Sequence, residues 1–245
     1  MSPYFTGRTK AIVKKVLGMS REYDRITEAV LRMLRKVPAA ARLLDVGCGD
    51  GQATMTYARA LSVPAAEIHG VDSGGGYRRG AANLFDVREA DLEKTPLPWG
   101  DQYFDIVVCN QVLEHLKNIF FILTEMDRTV KTGGYLLVGI PNLAGLHNRL
   151  LLLLGRQPVC NIITGPHLRC FTHRDFMAFL ARNGNFELAA TDSASLYPLP
   201  YPLVDWLGRV LPGFSAYTFY LLRKVRHSPA DCGWDIKKVG DTYFT

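Results

Sequence analysis

Residues 43–51 read Leu-Leu-Asp-Val-Gly-Cys-Gly-Asp-Gly, an apolar strand signal that runs directly into three glycines at every second position. Glycine takes tight-turn conformations without steric cost and lets a backbone approach a ligand with no Cβ in between. A buried strand that turns this sharply into a helix opens a parallel sheet with right-handed crossovers. The spacing Gly47-x-Gly49-x-Gly51 is not the G-x-G-x-x-G that seats a pyrophosphate on a helix end. The acid ahead of it, Asp45, suits a cationic ligand better than a phosphate.

The rest of the chain alternates accordingly. Apolar runs at 67–72, 84–90, 104–109 and 135–140 read as further strands, with helical stretches between them, notably around 117–130. Ile26, Val30, Met33, Leu34 and Val37 make one stripe of a helix over 20–37, with Arg25, Arg32 and Lys36 opposite and Pro38 as its stop. After Pro141 the pattern changes, then resumes with a helix at 173–183, whose candidate N-cap is Thr172, and strands at 186–192 and 217–225. The turn Asn183-Gly184-Asn185 ends that helix. The expected units are a basic leader and helix over 1–40, a main domain over 41–226 with cap segments 142–172 and 194–216, and a polar tail over 227–245.

Composition narrows the class. Hydrophobic residues make up 48% and charged residues 21%, which excludes a disordered chain. Five cysteines form no C-x-x-C pair, so a disulfide scaffold is not expected and a reducing cytoplasm is the default. No apolar stretch near the start reads as a secretory signal. The net charge of +6 is confined to residues 1–40, which hold nine Lys/Arg and three Asp/Glu; residues 41–245 hold twenty of each. A nucleic-acid enzyme carries its basic surface across the domain, so nucleic acid is not favoured as a partner. The leader reads either as a solvated helix face or as a weak contact for an anionic membrane surface.

At this point the motifs resemble those of the class I S-adenosylmethionine-dependent methyltransferases, of the type 11/12 small-molecule group. LLDVGCGDG is similar to their first motif, Val71-Asp72 to their second, residues 90–116 to the later cofactor motifs, and KTGGYLLVGIPN at 131–142 to the fifth strand and its exit. The resemblance implies a Rossmann-like sheet of seven mostly parallel strands with helices on both faces, the last strand antiparallel, plus a cap insertion. It implies S-adenosylmethionine as cofactor. Asp45, Gly47, Cys48, Gly49 and Gly51 would line its methionine part and Asp72 its ribose. Asp91 and Leu92 would flank the adenine, and Asn110 and Gln111 would stand near the sulfonium.

The acceptor side is read from residue chemistry. His115 follows the fourth strand and is open to two readings, a proton acceptor near the reacting atoms or a histidine at a helix start beside Glu114. No metal is expected: Gln111, four positions before His115, offers a neutral amide, a poor ligand for a hard cation. Cys160, His167, Cys170 and His173 lack a zinc-site spacing. His147, Asn148, His167 and Arg169 are candidates for the substrate side, and Arg169 suits a carboxylate or phosphate or an interdomain salt bridge. The cap pattern also resembles MetW-like proteins. The expected function is methyl transfer to a small-molecule or lipid-like acceptor, with oxygen favoured; the alternative is a cofactor-binding accessory protein without robust turnover. Oligomeric state is not legible.

Overall fold

The computed structural model describes residues 22–38, 40–74, 78–197, 203–228, 232 and 234. The basic leader up to residue 21, the proline-rich 198–202 and most of the tail lie outside the described residues. Seven strands form one sheet: β1 Leu43–Val46, β2 Ile68–Asp72, β3 Asp86–Glu89, β4 Phe104–Asn110, β5 Val130–Pro141, β6 Phe186–Ala194 and β7 Tyr217–Lys224. Their order is β3-β2-β1-β4-β5-β7-β6. The first five strands run parallel, and β7 is antiparallel to both its neighbours. This is the Rossmann-like, mostly parallel sheet with an antiparallel last strand that the sequence implies.

The helices are α1 Glu22–Leu34, α2 Gln52–Leu61, α3 Arg78–Ala81, α4 Ile119–Thr129, α5 Leu146–Leu153, α6 His173–Leu180 and α7 Leu203–Val210. The period-2 alternation of a strand sends neighbouring residues to opposite faces, and two separate cores result. Leu44, Val46, Val107, Cys109, Leu136 and Val138 face α4 and α6. Leu43, Ile106, Val108 and Leu137 face α1 and α2. Each core closes because its helices offer one apolar stripe: Ile119, Ile122, Leu123 and Met126 on α4, and Ile26, Ala29, Val30, Met33 and Leu34 on α1.

Two element bounds and one side-chain placement differ from the sequence reading, each for a local reason. β5 begins at Val130 because Val130 already pairs with Phe104; a register irregularity then follows before Tyr135 pairs with Ile106. α6 stops at Leu180 because the buried amide of Asn183 leaves the helix to bond Asp127, while its oxygen accepts the Asn185 N–H. Arg32, expected on the solvent face of its helix, instead pairs with Asp192 on β6 at 2.8 Å and donates to the Ser193 carbonyl. Thr172 does cap α6, its hydroxyl accepting from the Asp175 N–H.

α1, grouped in the sequence with the basic leader, contributes five buried side chains to the second core. Met33 is fully buried there. Met33→Ala is therefore expected to lower unfolding stability by about 2–5 kcal/mol. Urea denaturation checks this, and an unchanged midpoint would show that α1 is dispensable to the folded unit.

Candidate active site

The chain leaves β1 for β2 and β3 on one side and continues through β4 and β5 on the other. The crevice at the carboxyl ends of β1 and β4 is where open α/β sheets bind ligands. The glycine turn lies there. Gly47, Gly49 and Gly51 have φ of 75°, 54° and 81°, the left-handed region that other residues occupy only with strain. A Cβ on Gly47 would stand 2.4 Å from a Val112 methyl, whereas one on Gly49 would meet nothing within 4 Å. The first glycine is thus needed for packing, and the second borders open space. The Gly47 N–H donates to the Val71 carbonyl, and the Gly49 N–H donates to Asp72 Oδ2 at 3.0 Å. These bonds join the turn to the end of β2.

Asp45 is buried, with its Oδ2 accepting the Thr54 hydroxyl at 2.5 Å. Burial pushes its carboxyl up to about 7, the Thr54 bond opposes that, and the charge of Asp72 adds to it. Cys48 is buried behind the turn against Gly70. Asn110 ends β4 and donates to the Tyr57 hydroxyl at 3.2 Å. Its Oδ1 and the Gln111 Nε2 are buried without a partner. Gln111 has φ of 57° and donates its N–H to the Gly139 carbonyl. A left-handed non-glycine residue costs on the order of 1 kcal/mol, and such strain gathers at functional sites.

Asp91 is exposed beyond β3, with its Oδ1 accepting the Glu93 N–H at 2.9 Å. The Leu92 side chain packs inward as part of the first core. The Ala90 N–H donates to the Asp72 carbonyl, which keeps this loop next to the end of β2.

The other half of the site comes from the cap. After β4, one helical turn, Leu113–His115, carries a buried Glu114 whose Oε2 has no partner. Burial pushes the Glu114 carboxyl up to about 8. The cap segment 166–169 crosses this turn: the Leu168 and Arg169 N–H groups both donate to the Glu114 carbonyl. The crossing brings the rings of His115 and His167 to 4.9 Å, edge to face. Burial lowers the pKa of His115.

The remaining substrate-side candidates sit apart. His147 packs on Tyr197 at 5.8 Å, and burial pushes it down to about 4. Asn148 is buried within the cap, donating to the Asn142 carbonyl and accepting the Val159 N–H. The Arg169 guanidinium donates to the Lys117 carbonyl and lies over Phe120.

Three residues shape the site without having been singled out in the sequence. Thr54 and Tyr57 hold Asp45 and Asn110 from α2, and Gly139 leaves room for Asn110, whose Oδ1 a Cβ would approach to 2.3 Å. The only signal for the first two was their shared helix face, which says nothing about a carboxylate on β1 or an amide on β4.

The sequence profile of the methyltransferase domain family matches residues 44–138, the stretch from β1 to β5. The match marks residues 44–138 as a methyltransferase domain. Over 122 residues the chain is 34% identical to an uncharacterized methyltransferase of Schizosaccharomyces pombe, covering 42% of this chain and 41% of that protein. Over 132 residues it is 26% identical to the demethylmenaquinone methyltransferase of Staphylococcus aureus, covering 48% of this chain and 54% of the other. The chain thus spans about half the length of these curated relatives. A solved S-adenosylmethionine-dependent methyltransferase from Thermotoga maritima superposes with a TM-score of 0.58 at 20% identity, covering 84% of this chain and 96% of that one. The shared fold therefore extends well past residues 44–138.

The buried Asp45 makes stability depend on pH. The fold holds its proton up to about pH 7, whereas the unfolded chain releases it near pH 4. The folded state therefore binds more protons between these values, and stability falls as pH rises through them. Asp45→Asn is expected to flatten that slope and to melt above the parent protein at pH 8. Identical pH slopes in a melting series from pH 4 to 8 would contradict it.

Proposed function

We propose that the protein transfers a methyl group from S-adenosylmethionine to a small-molecule acceptor through an oxygen nucleophile. The observation that carries the reading is the pair of buried, unpartnered amide atoms, Asn110 Oδ1 and Gln111 Nε2, beside a glycine turn open at Gly49. Buried polar atoms without partners are rare, so such atoms at the carboxyl end of β4 await a ligand. The set fits the cofactor: Asp45 and the turn for its cationic methionine end, Asp72 for its ribose, Asn110 and Gln111 beside the reacting centre.

When bound, the cofactor supplies a methyl group on a cationic sulfur. The chain's residues bind, orient and desolvate. Asp72, held by the Gly49 N–H, keeps one carboxylate oxygen on the turn and leaves the other for hydroxyls. Tyr57 accepts from the Asn110 amide nitrogen, which leaves the amide oxygen buried beside Gly139. The Nδ1–H of His115 donates to the Pro166 carbonyl at 3.3 Å, which leaves its Nε2 as a proton acceptor. The lowered pKa of His115 keeps that ring neutral near pH 7. The cap segment crosses over Glu114 and keeps that carboxyl from water, while the His115 ring stays open to solvent.

Two features support a lipid-like acceptor. Eleven of the fifteen large hydrophobic side chains exposed among the described residues lie on the two cap segments, Leu153 at 82% and Ile163 at 87% among them. Residues 142–172 also contain three arginines and no acid. A face of this kind suits an apolar acceptor at an anionic surface. Among the described residues no helix is long and apolar enough to cross a membrane.

S-adenosylhomocysteine is expected to raise the melting temperature, and NADH is not. Asp72→Ala should weaken the response by about tenfold in affinity. His115→Ala should lower turnover with cofactor affinity unchanged. A shift with NADH and none with the adenosyl ligand would overturn the reading; binding without turnover on any acceptor would favour the accessory alternative. Separately, vesicles rich in phosphatidylglycerol should sediment the protein at low salt and release it at high salt. No binding at low salt would remove the membrane surface from the proposal.

A further inference from the structure

The geometry points to a divalent transition-metal site built from Glu114, His115 and His167, which pins the cap to the end of β4. The inference rests on the proposed methyl transfer and replaces one part of it: the His115 lone pair holds the ion and no longer takes the proton. One carboxylate oxygen and one nitrogen from each imidazole lie within 4.8 Å of one another. Two ligands on one ion stand at most about 4 Å apart, so inward side-chain rotations of about an ångström would seat a cation.

Three independent features prepare these atoms. The first is the tautomer of both rings. His115 Nδ1 faces the Pro166 carbonyl at 3.3 Å, and His167 Nδ1 faces the Cys160 carbonyl at 2.9 Å. A carbonyl only accepts, so each Nδ1 carries the proton and each Nε2 keeps a lone pair. Metal-binding histidines are oriented in this way, through a backbone carbonyl on the other nitrogen. The second is Glu114, which is 1% exposed and whose Oε2 lacks any protein partner. A buried carboxylate oxygen with nothing to accept from is costly unless a cation or proton joins it. The third is the backbone crossing: Leu168 and Arg169 donate to the Glu114 carbonyl, which fixes His167 against the turn that carries the other two ligands.

Two imidazoles and one carboxylate select a borderline ion such as Zn²⁺, Mn²⁺ or Fe²⁺ over Mg²⁺ or Ca²⁺, which want oxygen. Three protein ligands leave coordination positions open, and an acceptor hydroxyl is the natural occupant, its proton acidified by the ion. In that case the His115 lone pair is a ligand, and proton release from the acceptor is assisted by the metal. The sequence points away from a metal because Gln111 offers a neutral amide; in the inferred site the third ligand comes instead from the cap, 52 positions beyond His115.

The test is metal uptake by the full chain. Protein stripped with a chelator is titrated with Zn²⁺ by calorimetry, and bound metal is counted by mass spectrometry after dialysis. About one ion per chain is expected, with a rise in melting temperature. His167→Ala and Glu114→Gln should each bind at least about tenfold more weakly. Cys170→Ala, a change beside the site but outside the ligand set, should bind like the parent. Each variant is first shown to melt cooperatively and to respond to S-adenosylhomocysteine. No uptake by the parent protein, or uptake unchanged in both ligand variants, overturns the site. Because the adenosyl response is read in the same samples, loss of metal binding with that response intact leaves the methyltransferase reading standing. Metal binding without the adenosyl response would do the reverse.

Discussion

Four buried residues, Leu43–Val46, hold the molecule's organisation. They pair in parallel with β2 on one side and β4 on the other. That double pairing makes β1 the strand at which the chain's direction of travel across the sheet reverses. It leaves the crevice at the carboxyl ends with one wall from β1 and β2 and another from β4 and β5. The glycine turn is a consequence: the chain must leave a fully paired strand beneath Val112 and beside Phe85, where two of the three glycines have no room for a Cβ.

A second constraint governs the cap. Asn142 is fully buried at the end of β5. Its amide nitrogen donates to the Gly213 and Ser215 carbonyls, and its oxygen accepts from Ala144 and His173. Its backbone N–H donates to Ala216, and its carbonyl accepts from Asn148. One side chain thus ties both cap segments to the sheet, with every polar atom paired. Replacing such a hub strands several buried partners at once, which costs more than any single hydrogen bond. Asn148 belongs to this same network, so its chemistry is internal to the cap.

The strands and the order of helices were legible because a buried parallel strand is a short apolar run and each crossover helix shows one stripe. The glycine turn, the acid at the end of one strand and the amide at the end of another were legible too, since each leaves a local signature. The contact between the cap and the turn after β4 was not. His115 and His167 are distant in sequence and meet only because two backbone N–H groups of the cap find the Glu114 carbonyl. Neither residue sits in a periodic pattern that announces the contact. Arg32 likewise reads as a surface cation until the far edge of the sheet supplies Asp192.

That last pair has a consequence for how the protein is made. Arg32 and Asp192 are separated by 160 positions. α1 leaves the ribosome early, but the strand that receives it is among the last to emerge. At about 5–20 residues per second, Arg32 waits on the order of 10–30 s for that partner. Its helix has other walls to meet in the meantime, since Leu43, Tyr57, Ile106 and Leu137 belong to the same core. The link to β6 is therefore a late one, and the second core gains its last members, Ala194, Phe219 and Leu221, only when β6 and β7 have emerged.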